Sequence, residues 1–189
     1  MDWETLEKQC AACTACVLHK TRTNCVFGTG SRSAKILFVG EAPGEQEDLS
    51  GTPFVGRAGQ LLNKFLEAVE IPREDVYIAN ILKCRPPQNR DPLPAEEEAC
   101  LGFLREQVKL LRPRIIVCLG RISAAKLIKP DFKITKEHGE WFDKGNFLMT
   151  AVYHPAYLLR DPRKKEYMLT DMKRLRQKLD ELEGVGDHT

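Results

Sequence analysis

Four short apolar runs recur along the chain: Ile36-Leu37-Phe38-Val39, Val76 to Ile81, Ile115 to Gly120 and Phe147 to Tyr153. Runs of this length that lack polar alternation read as strands covered on both faces, which in turn requires helices between them. Leu61, Leu62, Phe65, Leu66 and Val69 supply one, repeating at helical spacing until Ile71-Pro72 ends the pattern, so the first two strands belong to a βαβ unit. Pro94 suits the first turn of a helix reaching about Leu111. A shorter helix follows around 121–128, a charged helix runs from about Lys164 to Leu182, and residues 3–12 predict a short helix at the start. The alternation predicts an α/β fold, a three-layer αβα sandwich around a central, mostly parallel four-stranded sheet. Residues 1–183 are expected to form one domain, with 184–189 a disordered tail. The stretch from Lys83 to Pro94 holds four prolines and is expected to be an ordered loop.

In sheets of this kind ligands bind beyond the carboxyl ends of the strands. Those ends read Gly40-Glu41-Ala42-Pro43-Gly44, Asn80, Gly120 and His154-Pro155, so three of the four carry polar or turn-forming residues suited to a site. The net charge is +2, too small for a strong overall positive field, and affinity for nucleic acid would have to come from a local patch. The opening MDWETLEKQC has no basic segment followed by an apolar one, and no stretch approaches the ~18 apolar residues that span a bilayer. A cytoplasmic protein that does not enter membranes is expected.

In that reducing compartment the seven cysteines point to metal rather than to disulfides. Cys13 and Cys16 are spaced so that two thiolates reach one metal from a single turn of chain, and Cys10 lies three residues earlier. Cys84 and Cys100 are separated by fifteen residues, more like the dispersed ligands of an iron-sulfur cluster than the tight second knuckle of a zinc ribbon, although spacing leaves zinc open. Spacing also leaves open whether Cys10 or Cys25 replaces a member of the set. Cys118, inside the third apolar run, reads as a small core residue.

Four motifs carry a more specific signal: GEAPGEQED (40–48), GTPFVGRAGQLLN (51–63), YIANILKCRPPQNRDPLP (77–94) and YHPAYLLRDP (153–162). Together, in this order and spacing, they resemble the iron-sulfur uracil-DNA glycosylases of family 4, over nearly the whole chain from about Cys13. The resemblance implies a DNA-repair hydrolase that cuts the N-glycosidic bond of deoxyuridine in single- or double-stranded DNA, releases uracil and leaves an abasic site. It also implies a 4Fe-4S cluster held by Cys13, Cys16, Cys84 and Cys100 as a structural brace, with Cys10 and Cys25 as extra thiols. A monomer is expected.

An enzyme that acts on a base within a duplex must flip it into a pocket. Phe54 resembles the family's aromatic platform under uracil. The amide of Asn80 can accept from uracil N3–H and donate to O4, a pattern that cytosine reverses. His154, the histidine that directly follows an apolar run and precedes a proline, is the candidate donor to the negative charge developing at O2; the sequence does not define its protonation. Better-known uracil glycosylases carry an aspartate where this chain has Ala42, so Glu41 is the candidate that positions water, while Gly40, Ala42 and Pro43 line the base. Glu47 is the candidate that fills the space beside uracil C5 and so excludes thymine. Tyr157, Leu158, Leu159 and Arg160 resemble the loop that fills the gap left by the flipped nucleotide, with Leu158 or Leu159 penetrating and Arg160 meeting phosphate. Eight Lys/Arg against three Asp/Glu between Arg160 and Lys178 form a basic stretch that fits backbone contacts but equally fits a solvated helix.

Three alternatives compete: a glycosylase of the same superfamily with broader base preference, a non-catalytic iron-sulfur nucleic-acid-binding module, and an iron-sulfur redox carrier, the last disfavoured because the cysteines do not follow ferredoxin runs. A related family that bonds covalently to the abasic site uses a histidine in a basic loop after the second strand; residues 83–90 contain none.

Overall fold

The computed structural model describes residues 1–184. Helix α1 (Trp3–Ala11) is followed by a two-residue strand β1 (Thr29–Gly30), strand β2 (Ile36–Gly40), the helices α2 (Glu45–Ser50) and α3 (Arg57–Ala68), and strand β3 (Tyr77–Asn80). Helix α4 (Pro94–Leu111), strand β4 (Ile115–Leu119), helices α5 (Arg121–Leu127) and α6 (Ile134–Glu137), and strands β5 (Phe142–Asp143) and β6 (Leu148–Val152) come next. Helices α7 (Pro155–Arg160) and α8 (Lys165–Gly184) are the last described elements. The sheet order is β1-β3-β2-β4-β6-β5. Its four inner strands are parallel, and the two edge strands run antiparallel to their neighbours. The expected four strands are therefore the four inner ones. The edges escape the apolar pattern because each pairs through only two residues, one of them exposed.

Side-chain alternation along these strands divides the core in two, as a three-layer sandwich requires. Leu37, Val39, Ile116, Cys118 and Ala151 face α4 and α5, whose Leu101, Leu104 and Ala124 cover them. Ile36, Phe38, Ile115, Val117 and Val152 face the other way, against Leu62, Phe65 and Leu66 of α3 and Met168, Met172 and Leu175 of α8. Cys118 is fully buried, as a core residue should be. Leu6 and Cys10 of α1 pack on Phe27 in a third, smaller cluster that holds the N-terminal segment to the body.

Buried polar groups tie the loops to this frame. The Asp48 carboxylate of α2 accepts from the backbone N–H groups of Thr23 and Asn24. Glu96, at the start of α4, takes both guanidinium ends of Arg90 and the N–H of Leu93, which fastens the proline-rich loop. Pro94 is the first residue of α4, as its fixed φ favours. Helix α8 continues through Gly184; the rest of the expected disordered tail lies outside the described residues. Among the described residues no helix is long and apolar enough to cross a membrane.

Leu62 is fully buried between α3 and the sheet. Leu62→Ala is expected to lower the unfolding free energy by about 2–5 kcal/mol in urea denaturation, because the truncated side chain leaves a cavity the neighbours only partly refill. A loss below about 0.5 kcal/mol, the range of exposed substitutions, would contradict this packing.

Candidate active site

The chain runs from β2 to β3 on one side, then returns to β4 on the other, so the strand order reverses at β2 and the crevice opens above its carboxyl end. Gly40 closes β2 and lies in register with Asn80, the last residue of β3. A Cβ on Gly40 would stand 2.4 Å from Asn80 Oδ1 and 2.7 Å from Phe54 Cζ, so only glycine permits the amide and the ring to meet there. Their meeting point is the wall of a cleft of about 250 Å³, lined by Glu41, Ala42, Pro43, Glu47, Phe54, Asn80, His154 and Arg160 among others. Thus Glu41 to Gly44, Asn80 and His154, from three of the four strand ends, line one cavity, Gly120 lines the adjoining groove, and Phe54 joins the first from the loop before α3.

Asn80 is 2% exposed, and its Oδ1 has no hydrogen-bond partner within the protein. An unpaired buried amide oxygen is costly, which marks it as an acceptor waiting for a ligand donor. Its backbone is held from below: Lys83 Nζ donates to the Asn80 carbonyl (2.9 Å) and to Gln107 Oε1 (2.7 Å), and Gln107 in turn donates to the Phe27 carbonyl. Phe54 adopts φ +53, a left-handed conformation unusual for a bulky residue. Its ring lies 5.8 Å from the His154 ring at 33°.

His154 caps the N-terminus of α7, and its Nδ1 accepts the N–H of Ala156 at 3.0 Å. An acceptor at Nδ1 assigns the hydrogen of the neutral ring to Nε2, which is left to donate. Burial, reinforced by the Arg160 cation, pushes the His154 pKa down to about 4, so the ring is neutral at pH 7. Glu41 sits between this cleft and a second groove lined by Arg121, Tyr153 and Tyr157. Burial raises its carboxyl above the ordinary range; Asp91 adds to the rise, and Arg121 and Arg160 oppose it.

Glu47 lines the cleft but is not a free carboxylate. Its Oε1 accepts from Gly44 N–H (3.2 Å) and its Oε2 from Val55 N–H (3.0 Å) and Gly56 N–H (2.7 Å), which ties α2 to the Phe54 loop. The expectation for residues 157–160 needs correction. They form helix α7 rather than a loop, because His154 and Pro155 supply a cap and a first turn. Leu158 is fully buried against the α3 and α8 core, whereas Leu159 is partly accessible and Arg160 exposed at the cleft. Several cations of α8 and the segment before it pair with carboxylates: Arg163 with Asp161, Arg174 with Asp171, Arg176 with Asp180 and Lys178 with Glu181. Four of the eight cations between Arg160 and Lys178 thus have carboxylate partners.

Cys13, Cys16, Cys84 and Cys100 come from three segments and line one small apolar cavity with Leu18, Leu82 and Phe103. Cys10 lines it too, and its sulfur lies 3.0 Å from that of Cys25. Arg22 donates to Cys84 Sγ (3.2 Å) and the Lys83 N–H to Cys100 Sγ (3.3 Å). Among the described residues no three His, Cys, Asp or Glu side chains converge closely enough for a single metal ion; the thiols surround a space instead. Sequence reading missed Asn89 and Arg90, which the proline-rich loop carries to the cleft, and Arg121 and Asp91, which face Glu41. Asn89, Arg90 and Asp91 lie in a loop and Arg121 at the first position of α5, where no apolar period marks a residue, so nothing in the pattern singled them out.

Comparison with known proteins agrees with this geometry. Residues 27–178 match the family model described as the uracil DNA glycosylase superfamily. The chain is 44% identical over 180 residues to the type-4 uracil-DNA glycosylase of Archaeoglobus fulgidus, covering 91% of this chain and 90% of that one. It is 46% identical over 160 residues to the type-4 enzyme of Thermotoga maritima (84% and 83% covered), and 40% identical over 183 residues to that of Sulfurisphaera tokodaii (92% and 83%). With its strand-end cleft intact and its relatives matched along nearly their full length, the chain belongs to the uracil-DNA glycosylase superfamily, in the type-4 family.

Proposed function

We propose that the protein hydrolyses the N-glycosidic bond of deoxyuridine in DNA, acting as a monomer in the reducing cytoplasm. The observation that carries this reading is the unpaired Asn80 Oδ1 in the same cleft as the Phe54 ring and the neutral His154. Uracil stacks on Phe54, donates N3–H to Asn80 Oδ1 and accepts at O4 from the Asn80 amide nitrogen. Cytosine would leave both amide groups mispaired, at a cost of a few kcal/mol. As the C1′–N1 bond breaks, its electron pair moves onto the uracil ring and toward O2, where His154 Nε2–H donates to the growing charge. A neutral donor suits this step because the N–H of a neutral imidazole is far less acidic than that of an imidazolium, so it hydrogen-bonds the growing charge and keeps its proton. Water adds to C1′ from the opposite side and passes its proton to Glu41, whose raised pKa makes it a stronger base than an exposed carboxylate. The uracil anion is then protonated from solvent. Glu47, held beside the base by backbone N–H groups, leaves no room for a methyl at C5. Leu159, rather than Leu158, is the wedge into the gap left by the flipped nucleotide, and Arg160 meets the phosphate beside it.

Cys13, Cys16, Cys84 and Cys100 suit a 4Fe-4S cluster: thiols around an apolar space, with N–H donors already aimed at two of the sulfurs. The group would act as a brace, joining the N-terminal segment and the proline-rich loop to α4. The remaining chemistry falls to the side chains above.

Incubation with single- and double-stranded oligonucleotides carrying one uracil, followed by alkaline cleavage, is expected to cut both at the uracil. No cleavage of either would remove the enzyme reading, and equal cleavage at hypoxanthine would replace it with a broader glycosylase. The rate should fall with acid as Glu41 protonates, at a pH above its ordinary 4.5. In Glu41→Gln the residual activity should persist until His154 protonates near pH 4. A residual limb near pH 6.5 would instead report a histidine of ordinary pKa and contradict the neutral-donor account. The pure protein should be brown and hold about four irons per chain, both lost in Cys84→Ala; a colourless protein containing zinc would reassign the cofactor.

A further inference from the structure

Phe54 and Asn89 are the cleft residues with left-handed backbone among the described residues, and at the bulky Phe54 the carbonyls are held by a residue outside every motif. Arg73, in the turn between α3 and β3, donates from Nη2 to the Pro53 carbonyl (2.8 Å) and from Nη1 to the Phe54 carbonyl (2.8 Å) and to Asn63 Oδ1 (2.7 Å). From the other side the Glu47 carboxylate takes the N–H groups of Val55 and Gly56. Three consecutive peptide groups are thus gripped, the carbonyls of 53 and 54 by a cation and the amides of 55 and 56 by an anion, so that the 54–55 peptide is held at both ends. The Phe54 carbonyl also presses on α3 so closely that a Cβ on Gly59 would stand 1.9 Å from it.

We propose that Arg73 is a positioning residue for base recognition: its fork on the Pro53 and Phe54 carbonyls holds Phe54 at positive φ and so aims the stacking ring at Asn80 and His154. A bulky residue leaves the left-handed region unless its surroundings determine it. With Arg73 gone, the two carbonyls lose their partners, the backbone relaxes, and the ring swings off the place the base would occupy. A planar guanidinium with parallel donors serves two neighbouring carbonyls and an amide oxygen at once; an ammonium does not. The kinetic part of this inference rests on the cleft being the uracil site, and the conformational part does not.

Uracil release is measured for wild type, Arg73→Ala, Phe54→Ala and the double variant, with thermal midpoints alongside. Arg73→Ala is expected to lose up to about 100-fold in kcat/KM, the scale set by misplacing a binding group. The double variant should be no slower than Phe54→Ala alone, because without the ring there is nothing left to misplace, while the thermal midpoint still falls further. A merely structural arginine would lower the midpoint with kcat/KM effects that multiply in the double variant, and that result, or full activity in Arg73→Ala, overturns the proposal. If Arg73→Ala does not fold, Arg73→Lys runs the same cycle with an intermediate loss expected, and wild-type kcat/KM in Arg73→Lys overturns it. If wild type itself releases no uracil, the functional reading fails separately. A crystal structure of Arg73→Ala or Arg73→Lys then decides: Phe54 moved to negative φ supports the clamp, and Phe54 unmoved against His154 rejects it.

Discussion

Everything in the cleft depends on an absent side chain at the end of β2. Parallel pairing sets Gly40 beside Asn80, and with 2.4 Å between a hypothetical Cβ and the Asn80 amide oxygen no other residue fits without displacing the amide or the Phe54 ring. A parallel ladder fixes register wherever both faces are buried, as they are here, so the amide cannot slip to another position along the strand. The precision of the site is therefore inherited from the most rigid part of the molecule. Loops add to it only where they are themselves tied down.

Those ties are polar and largely buried. Lys83, 1% exposed, bridges the Asn80 carbonyl to Gln107, which bridges on to Phe27. Such a network is costly to desolvate and strongly destabilising to break, so it favours one arrangement over its alternatives. Lys83 is also the neighbour of Cys84, and its N–H reaches Cys100. The thiol-lined cavity and the Asn80 side of the cleft are thus connected through a single residue. In the proposed reading this is why a cluster with no part in the reaction belongs next to the site: it braces the loop that leaves β3, and the chemistry remains with Glu41, Asn80 and His154.

The inner sheet and its helices were legible because burial on both faces writes long apolar runs, and the start of α4 was legible because Pro94 can open a helix but not continue one. Asn80 and His154 were legible as polar residues at strand ends. The burial of Leu158 was not legible, because a leucine in a short polar-flanked segment looks the same whether it faces solvent or core; only the helix that Pro155 starts turns it inward. Arg73 was invisible for a different reason. Two of its three partners are main-chain carbonyls, which are the same at every position, so no side-chain pattern points to its hold on Phe54. The neutral state of His154 likewise required the structure, since it follows from burial and from the direction of the Ala156 N–H.

The central claim is that one cleft reads uracil by stacking on Phe54, pairing with the Asn80 amide and donating from His154. A crystal structure of the protein with free uracil tests it most directly. The account predicts the ring parallel to Phe54, N3 within hydrogen-bond reach of Asn80 Oδ1, and O2 facing His154 Nε2. Uracil bound elsewhere, or bound in this cleft with its N3–O4 edge turned away from Asn80, would contradict it.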